Sequence, residues 1–224
     1  MEFELSGIVI NKQNVNEFDE IISLLTDKGI QRIFCPGVNK TNSKNGPSIL
    51  ILNLVNCEVI KSETRNLLPR LKTASLIKNF PTDYRLLNIA NDLKTFFNCL
   101  DNCNNINLIK EYGHCLDFIL SKSDKVEAYL LFLVVSSLGF KPNLNSCIEC
   151  NNVENIVDFK LYKGGFLCSM HSNIVNADVS LLRSWYWINK KFEQFDLNCS
   201  NLNAIKINNE LKMFLYDNNI IYRS

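Results

Sequence analysis

Cys147, Cys150, Cys168 and His171 follow one another as C-x2-C, seventeen intervening residues, then C-x2-H, and no other pattern restricts the fold of this chain so tightly. Zinc takes four sulfur or nitrogen ligands tetrahedrally, and a two-residue gap lets one tight turn of backbone aim two of them at one point. Two such turns close a site. Between them, 157–162 reads as a strand, Lys163-Gly164-Gly165 as a turn and Phe166-Leu167 as a returning strand. The spacing therefore predicts a zinc-ribbon-like hairpin around a structural zinc. Three cysteines and one histidine leave no coordination position open for a substrate water, so the site is expected to brace the fold and not to catalyse.

The remaining cysteines lack such spacing. Cys99 and Cys103 lie four apart in an apolar helical pattern, with His114 and Cys115 about a helix later, and read as buried thiols packing as small hydrophobes. Cys35, Cys57 and Cys199 have no partner at a metal-binding interval. Nine cysteines is an odd number, and Met1 leads directly into Glu2 and Glu4 where a signal peptide would carry a basic stretch and an apolar run. A reducing, cytoplasmic setting is expected, with thiolates free for metal. The longest apolar run, 128–135, is too short to span a bilayer, so no membrane association is expected.

Periodicity divides the chain. Segments 7–10, 21–25, 31–35, 49–53 and 58–61 are short, rich in isoleucine, leucine and valine, and separated by turn material such as Asp27-Lys28-Gly29 and Cys35-Pro36-Gly37. They predict a small barrel or sandwich, although Phe18, Ile21, Ile22 and Leu25 would also suit a helix. After Phe80-Pro81 the spacing becomes helical. Helices are predicted from about 83 to 100, 106 to 120 and 124 to 138, the last apolar nearly all round and stopped by Gly139 and Pro142. Further amphipathic stretches cover 179–195 and 211–215. The consecutive Trp185, Tyr186 and Trp187 cannot share one helix face, so an exposed aromatic cluster is one expectation and packing of two of them on the metal hairpin another.

Formal net charge is only +1, which gives no global pointer to nucleic acid. Residues 1–80 nevertheless hold ten basic side chains against eight acidic ones, and Lys61, Arg65, Arg70, Lys72 and Lys78 are opposed nearby only by Glu63. A local basic patch is expected there.

The order of these features resembles the bacterial recombination mediator RecO family. Gly7-Ile8-Val9 matches its opening strand, and Glu17-Phe18-Asp19 through Thr26 and Gly29 its acidic pair and second strand. Cys35-Pro36-Gly37-Val38-Asn39-Lys40, with Ser43-Lys44, stands at its basic loop. Glu127, Leu130, Leu131, Gly139, Pro142 and Cys147-Cys150 match the approach to its first metal knuckle, and Phe159, Gly164, Gly165 and Cys168-His171 complete the second. The resemblance covers most of the chain and thins after about Ala177. His171 replaces the usual fourth cysteine, and Pro36 and Asn39 stand where the family tends to have lysine or arginine.

The resemblance implies an α+β protein: an N-terminal OB-fold β-barrel at 1–79, then an α-helical domain at 80–224 carrying the zinc-ribbon-like hairpin at about 144–175. It further implies a non-enzymatic DNA repair and recombination mediator acting in the DNA damage response. Such a protein binds single- and double-stranded DNA, anneals strands, and with RecR helps RecA displace single-strand-binding protein, whose tail it contacts, at the nucleoid. Lys40 and Lys44 match the family's basic loop, and Arg32, Lys61, Arg65 and Arg70 join them as DNA-binding candidates on charge alone. Phe3, Phe18 and Phe34 are expected in the barrel core, which leaves binding to phosphate contacts. The alternative is a zinc-stabilised interaction scaffold with little direct DNA binding. A zinc deaminase is disfavoured, because no proline directly precedes Cys147 and Glu149 sits inside the knuckle.

Overall fold

The computed structural model describes residues 2–61 and 67–218. Its contacts form two compact units, Met1–Leu120 and Ser121–Arg223. The first opens with β1 (Glu2–Asn14), β2 (Glu20–Thr26), β3 (Gly29–Cys35), β4 (Leu54–Ile60) and β5 (Arg70–Lys78), closed into a barrel in the order β1-β2-β3-β5-β4. Five strands in this order, with β3 and β5 parallel and all other pairs antiparallel, are the OB-fold.

Closure depends on β1, which is long enough to serve two neighbours. Its first half pairs with β4 from Glu2↔Ile60 to Ile8↔Leu54, its second with β2 from Ile8↔Leu25 to Asn14↔Glu20, and a bulge between Val9 and Asn11 turns the strand from one sheet direction to the other. Gly7 sits at the crossing. A Cβ there would meet the Leu25 carbonyl oxygen at 2.3 Å, so the opening G-I-V string has a packing reason. Val9, Ile22, Leu24, Ile33, Cys35, Val55, Cys57 and Val59 fill the interior. Desolvation pushes the Cys35 and Cys57 thiols up to about 12 and about 11, as expected of cysteines packed as hydrophobes.

Two strand assignments change. Residues 49–53 are not a strand: Ile49 and Val38 turn inward to plug the barrel, Leu52 adopts a positive φ of 65°, and the Asn53 amide bonds to the Ser48 carbonyl. A strand there would have shown every second apolar side chain to water. The strand the periodicity missed is β5. Its burial alternates poorly, with Leu71 inside but Leu76 and Ile77 exposed, so its signal was weak.

Helices α1 (Leu87–Phe97) and α2 (Ile106–Cys115) belong to the same compact unit as the barrel, although the expected domain boundary lay at residue 79. The Tyr112 hydroxyl donates to the Leu52 carbonyl at 2.7 Å, the Asn105 side chain to the Thr26 carbonyl, and the Asn105 N–H to the Asp27 carbonyl. A Cβ on Gly29 would approach the Asn102 nitrogen to 2.7 Å. The α1–α2 connection thus grips the β2–β3 turn, which leaves the loops at the other end of that hairpin open. Cys99 and Cys103 lie in this connection and not on a shared helix face, because α1 ends at Phe97.

In the second unit, α3 (Ser123–Ser137) is buried on every side and ends in Gly139 at φ 89°, where the Phe140 N–H reaches the Val135 carbonyl and the Gly139 N–H that of Ser136. Around it stand α4 (Val179–Ile188), α5 (Phe192–Asn198) and α6 (Asn201–Asp217), with the hairpin β6 (Ile156–Lys160) and β7 (Gly165–Cys168). Asp196 accepts from Lys122 and Lys125, and Lys212 pairs with buried Glu127 at 2.7 Å, tying α5 and α6 to α3. Trp185 is wholly buried and stacks on Phe159 of β6 at 4.1 Å, which fastens α4 to the hairpin and contributes about 1 kcal/mol beyond its buried area. The Trp185-Tyr186-Trp187 cluster is therefore not an exposed patch, since only Tyr186 is exposed, with Lys190 over its ring. No helix among the described residues is long and apolar enough to cross a membrane.

Replacing Gly7 with alanine forces β1 away from β2, and a loss of about 1–3 kcal/mol is expected. A thermal melt by circular dichroism should show a midpoint lowered by several degrees; an unchanged midpoint would mean the crossing can relax.

Candidate metal centre and nucleic-acid interface

The hairpin brings all four sequence-predicted ligands together. Their ligand atoms lie within 4.8 Å of one another, with Cys150 Sγ to Cys168 Sγ at 3.7 Å, Cys147 Sγ to His171 Nδ1 at 3.7 Å and Cys168 Sγ to His171 Nδ1 at 3.3 Å. Zinc–ligand bonds of about 2.3 Å to sulfur and 2.0 Å to nitrogen imply tetrahedral edges of about 3.8 Å between sulfurs and about 3.5 Å from sulfur to nitrogen. The donor set and its spacing therefore fit zinc.

Each knuckle is shaped by its own backbone. The Asn151 N–H returns to the Cys147 carbonyl and the Cys147 N–H to that of Asn152, while the His171 N–H returns to the Cys168 carbonyl. Asn151 at φ 59° and Asn155 at φ 54° turn the chain between them, where asparagine tolerates the left-handed region. Backbone N–H groups also point at sulfur. Desolvation at buried Cys147 pushes its thiol up, but N–H groups of Cys168, Glu149 and Cys150 outweigh this and draw it down to about 6. His171 lowers Cys168, and Cys168 in turn raises His171. Only Cys150 is raised: the Asn152 N–H favours its thiolate, but desolvation and the adjacent Cys147 and Cys168 sulfurs disfavour another negative charge. A bound dication would stabilise all three thiolates at once.

The hairpin is locked to its approach. Gly165 has φ 145°, and a Cβ on it would strike the Asn143 carbonyl oxygen at 2.2 Å, because Asn143 bridges to Gly165 and bonds to Gly164 and Phe166. The double glycine thus serves close backbone contact as well as the turn.

The DNA-binding candidates fall into a rim, a face and one exception. The β1–β2 loop, the start of the β3–β4 loop and the start of β5 meet at one end of the barrel: Asp19 Oδ1 accepts the Gly37 N–H at 2.7 Å, the Phe18 carbonyl the Asn39 N–H, and the Pro69 carbonyl the Phe34 N–H. Lys40 and Arg70 both contribute to lowering the pKa of Asp19, after its hydrogen bonds from Asn16 and Gly37, so both charges stand at this rim. Lys61 follows the end of β4, whose last residue Ile60 pairs with Arg70. Arg32 lies exposed on β3, opposite Ser23 of β2, and its guanidinium donates to Gln13, which puts it on the β2–β3 face. Lys44 is exposed in the β3–β4 loop, whose Asn45 is tied to β5 through Lys72 and Ala74. Arg65 lies outside the described residues.

Among the described residues, Lys40, Lys44, Lys61, Arg70 and Arg32 have no ion-paired carboxylate. By contrast, Lys72 bonds to Glu2 and approaches Glu58, and Lys78 bonds to Asp117, so these two are neutralised locally. The sequence reading misplaced one aromatic. Phe18 is not in the core but 42% exposed on the β1–β2 loop, with the Lys40 ammonium 5.7 Å from its ring centroid. Phe3 packs on the core as expected, and Phe34 is half-buried. Strands 2 and 3 and the loops after strands 1 and 4 are where OB-folds hold oligonucleotides.

Two family models match the chain: Recombination protein O N terminal over residues 1–80 and Recombination protein O C terminal over residues 101–215. The chain belongs to the RecO family. It is 35% identical over 163 residues to the DNA repair protein RecO of Mycoplasma capricolum, covering 69% of this chain and 66% of that one. Similarity to the DNA repair protein RecO of Ligilactobacillus salivarius extends over a 240-residue alignment at 28% identity, covering 97% of this chain and 88% of the relative. The chain thus spans just under two thirds of the Mycoplasma relative and most of the Ligilactobacillus one. Among solved structures, Entamoeba histolytica asparaginyl-tRNA synthetase is similar over 74% of this chain and 39% of its own at 12% identity, with a TM-score of 0.34, too low to bear on the fold. The RecO N-terminal match coincides with the barrel, and the C-terminal match contains the whole metal hairpin.

A second feature of this RecO-family chain had no motif to announce it. A cleft of about 430 Å³ lies between α6 and the hairpin tip, lined by Leu161, Tyr162, Glu210, Met213, Phe214 and Asp217. Tyr162 and Met213 on its wall are well exposed.

Metal analysis of purified protein is expected to find zinc near one equivalent, and Cys147→Ser is expected to lose it with a fall of at least about 5 °C in melting temperature. Unchanged stability in the metal-free variant would show that the hairpin stands without its cross-link.

Proposed function

We propose that this protein is a non-catalytic DNA repair and recombination mediator. It binds single- and double-stranded DNA on the OB-fold rim and the β2–β3 face, anneals complementary strands, and with RecR assists loading of RecA on DNA coated with single-strand-binding protein. The observation that carries the reading is the pair Lys40 and Arg70 at the barrel end, with no ion-paired carboxylate among the described residues, beside the exposed Phe18 ring. Family membership supports it, since the relatives are named DNA repair proteins. Arg32 and Lys44 extend the track as phosphate contacts, with Arg65 kept as a candidate from the sequence. Zinc at Cys147, Cys150, Cys168 and His171 is structural, because four protein ligands leave no position for substrate. The work is done in the cytoplasm, where DNA and reduced thiols coexist.

A second reading, an interaction scaffold with little affinity for DNA, is favoured by the cleft beside α6. Its exposed Tyr162 and Met213 offer apolar surface to a partner. Glu210 and Asp217 on the same wall outnumber its one cation, Lys206, which is itself paired with Asp178, and this disfavours an acidic tail such as that of single-strand-binding protein there.

Each phosphate contact releases counterions, and about four contacts on single-stranded DNA give a log–log salt slope near −3. A fourfold rise in salt is therefore expected to weaken binding on the order of fiftyfold, measured by fluorescence anisotropy. No binding at low salt, with strong capture of RecR, would favour the scaffold. The double substitution Lys40→Glu, Lys44→Glu is expected to lower affinity at least about tenfold and to flatten the slope by about 1.4. Unaltered affinity would remove these two lysines from the interface.

A further inference from the structure

Phe18 is the sole exposed aromatic among the described barrel residues, and the loop that carries it is unusually well pinned. Asn16 Oδ1 accepts from the N–H groups of Phe18 and Asp19 at 2.9 Å each, and Asn16 Nδ2 donates to Asp19 Oδ2. The Val15 N–H closes the turn on the Asp19 carbonyl. From the other side, the Asn39 N–H donates to the Phe18 carbonyl, and the Gly37 N–H to Asp19 Oδ1. The backbone on both sides of Phe18 is thus fixed, while the residue stays 42% exposed on the loop. Such a ring is ordered before any ligand arrives, which removes an entropic cost of binding.

Charge selects the kind of ligand. Lys40 stands over the ring, and Arg70 is close enough to act on Asp19 next to it. Asp19 and the exposed Glu17 are the opposing charges on this loop, but Asp19 is already occupied by Gly37 and Asn16. At 5.7 Å the Lys40 contact is near the outer limit for a cation over a ring, so the ammonium can swing to a phosphate while a base takes the face.

Resting on the DNA-binding reading above, we infer that Phe18 is a base-stacking platform that makes this barrel prefer single-stranded over duplex DNA, with Lys40 holding the adjoining phosphate and Asp19 positioning the loop. A stacked base must leave its partner strand, because a duplex offers phosphates at its surface but no free base face. Phosphate contacts alone would bind both forms by charge. The ring therefore separates the two substrates.

The test compares wild type, Phe18→Ala and Phe18→Trp in the full chain, using a short labelled oligo-dT and a duplex of the same length. Phe18→Ala is expected to weaken oligo-dT binding by roughly tenfold, to change duplex binding less than about twofold, and to leave the salt slope unaltered, because no charge is removed. Phe18→Trp should restore oligo-dT affinity and add fluorescence that the oligonucleotide quenches. Since the ring is exposed, melting temperatures should match wild type, which excludes misfolding as the cause. Equal oligo-dT affinity of Phe18→Ala and wild type, or parallel losses on both DNAs, would overturn the platform while leaving the DNA reading standing. Loss of RecR capture with DNA affinity intact would overturn it in favour of a protein anchor. Failure of wild type to bind any DNA would overturn both.

Discussion

The first compact unit depends on one close approach, that of Gly7 to the Leu25 carbonyl, where β1 passes from pairing with β4 to pairing with β2. A five-stranded sheet becomes a barrel only if one strand can belong to both edges, and the bulge after Val9 allows it. Once closed, the barrel has an end gripped by the α1–α2 connection and an end whose loops remain available. The turn-rich segment 36–53 completes it by lending Val38 and Ile49 to the interior, and it is held at one end by Asp19 and at the other by Asn45. The surface that the loops present follows from this plugging: Val38 and Ile49 go inward, and Lys40, Lys44 and Phe18, with Val15 and Leu50, are left outside.

The second unit solves a different problem. Its hairpin is short, with two strands of five and four residues, and two strands alone are marginal in water. Three supports hold it: the stack of Trp185 on Phe159, the backbone bridge at Asn143 and Gly165, and the four-ligand cluster at its open end. The knuckles aim N–H groups at sulfur before any metal is considered, so the local backbone already favours thiolate at Cys147. A donor set of four protein ligands, if metal-filled, and a buried aromatic brace suit a structural element.

Electrostatics shows why a net charge of +1 misleads. The barrel engages several of its cations locally, Lys12 with Glu20, Lys72 with Glu2 and Lys78 with Asp117, whereas Lys40 and Arg70 at the rim have no ion-paired carboxylate among the described residues. Counting charges along the chain put Lys72 and Lys78 in the same basic run as Arg70; strand pairing separated them. Arg70 starts β5 beside Ile60 and Phe34, Lys72 sits at the register shift near Glu58 and Glu2, and Lys78 lies at the far end opposite Leu54 and near Asp117.

What the sequence determined by itself is what short-range chemistry encodes. The ligand quartet was legible because two-residue gaps leave the backbone little choice, and α3 because its long apolar run is stopped by Gly139 and Pro142. The glycines at 7, 139, 164 and 165 marked places where a Cβ or a negative φ will not serve. Tertiary structure alone decided that 49–53 plugs a barrel, that β5 joins β3 and β4 despite its poor alternation, and that Trp185 is buried while Phe18 is not. These depend on partners distant in sequence: an aromatic is buried or exposed according to what packs against it, and no local pattern carries that information.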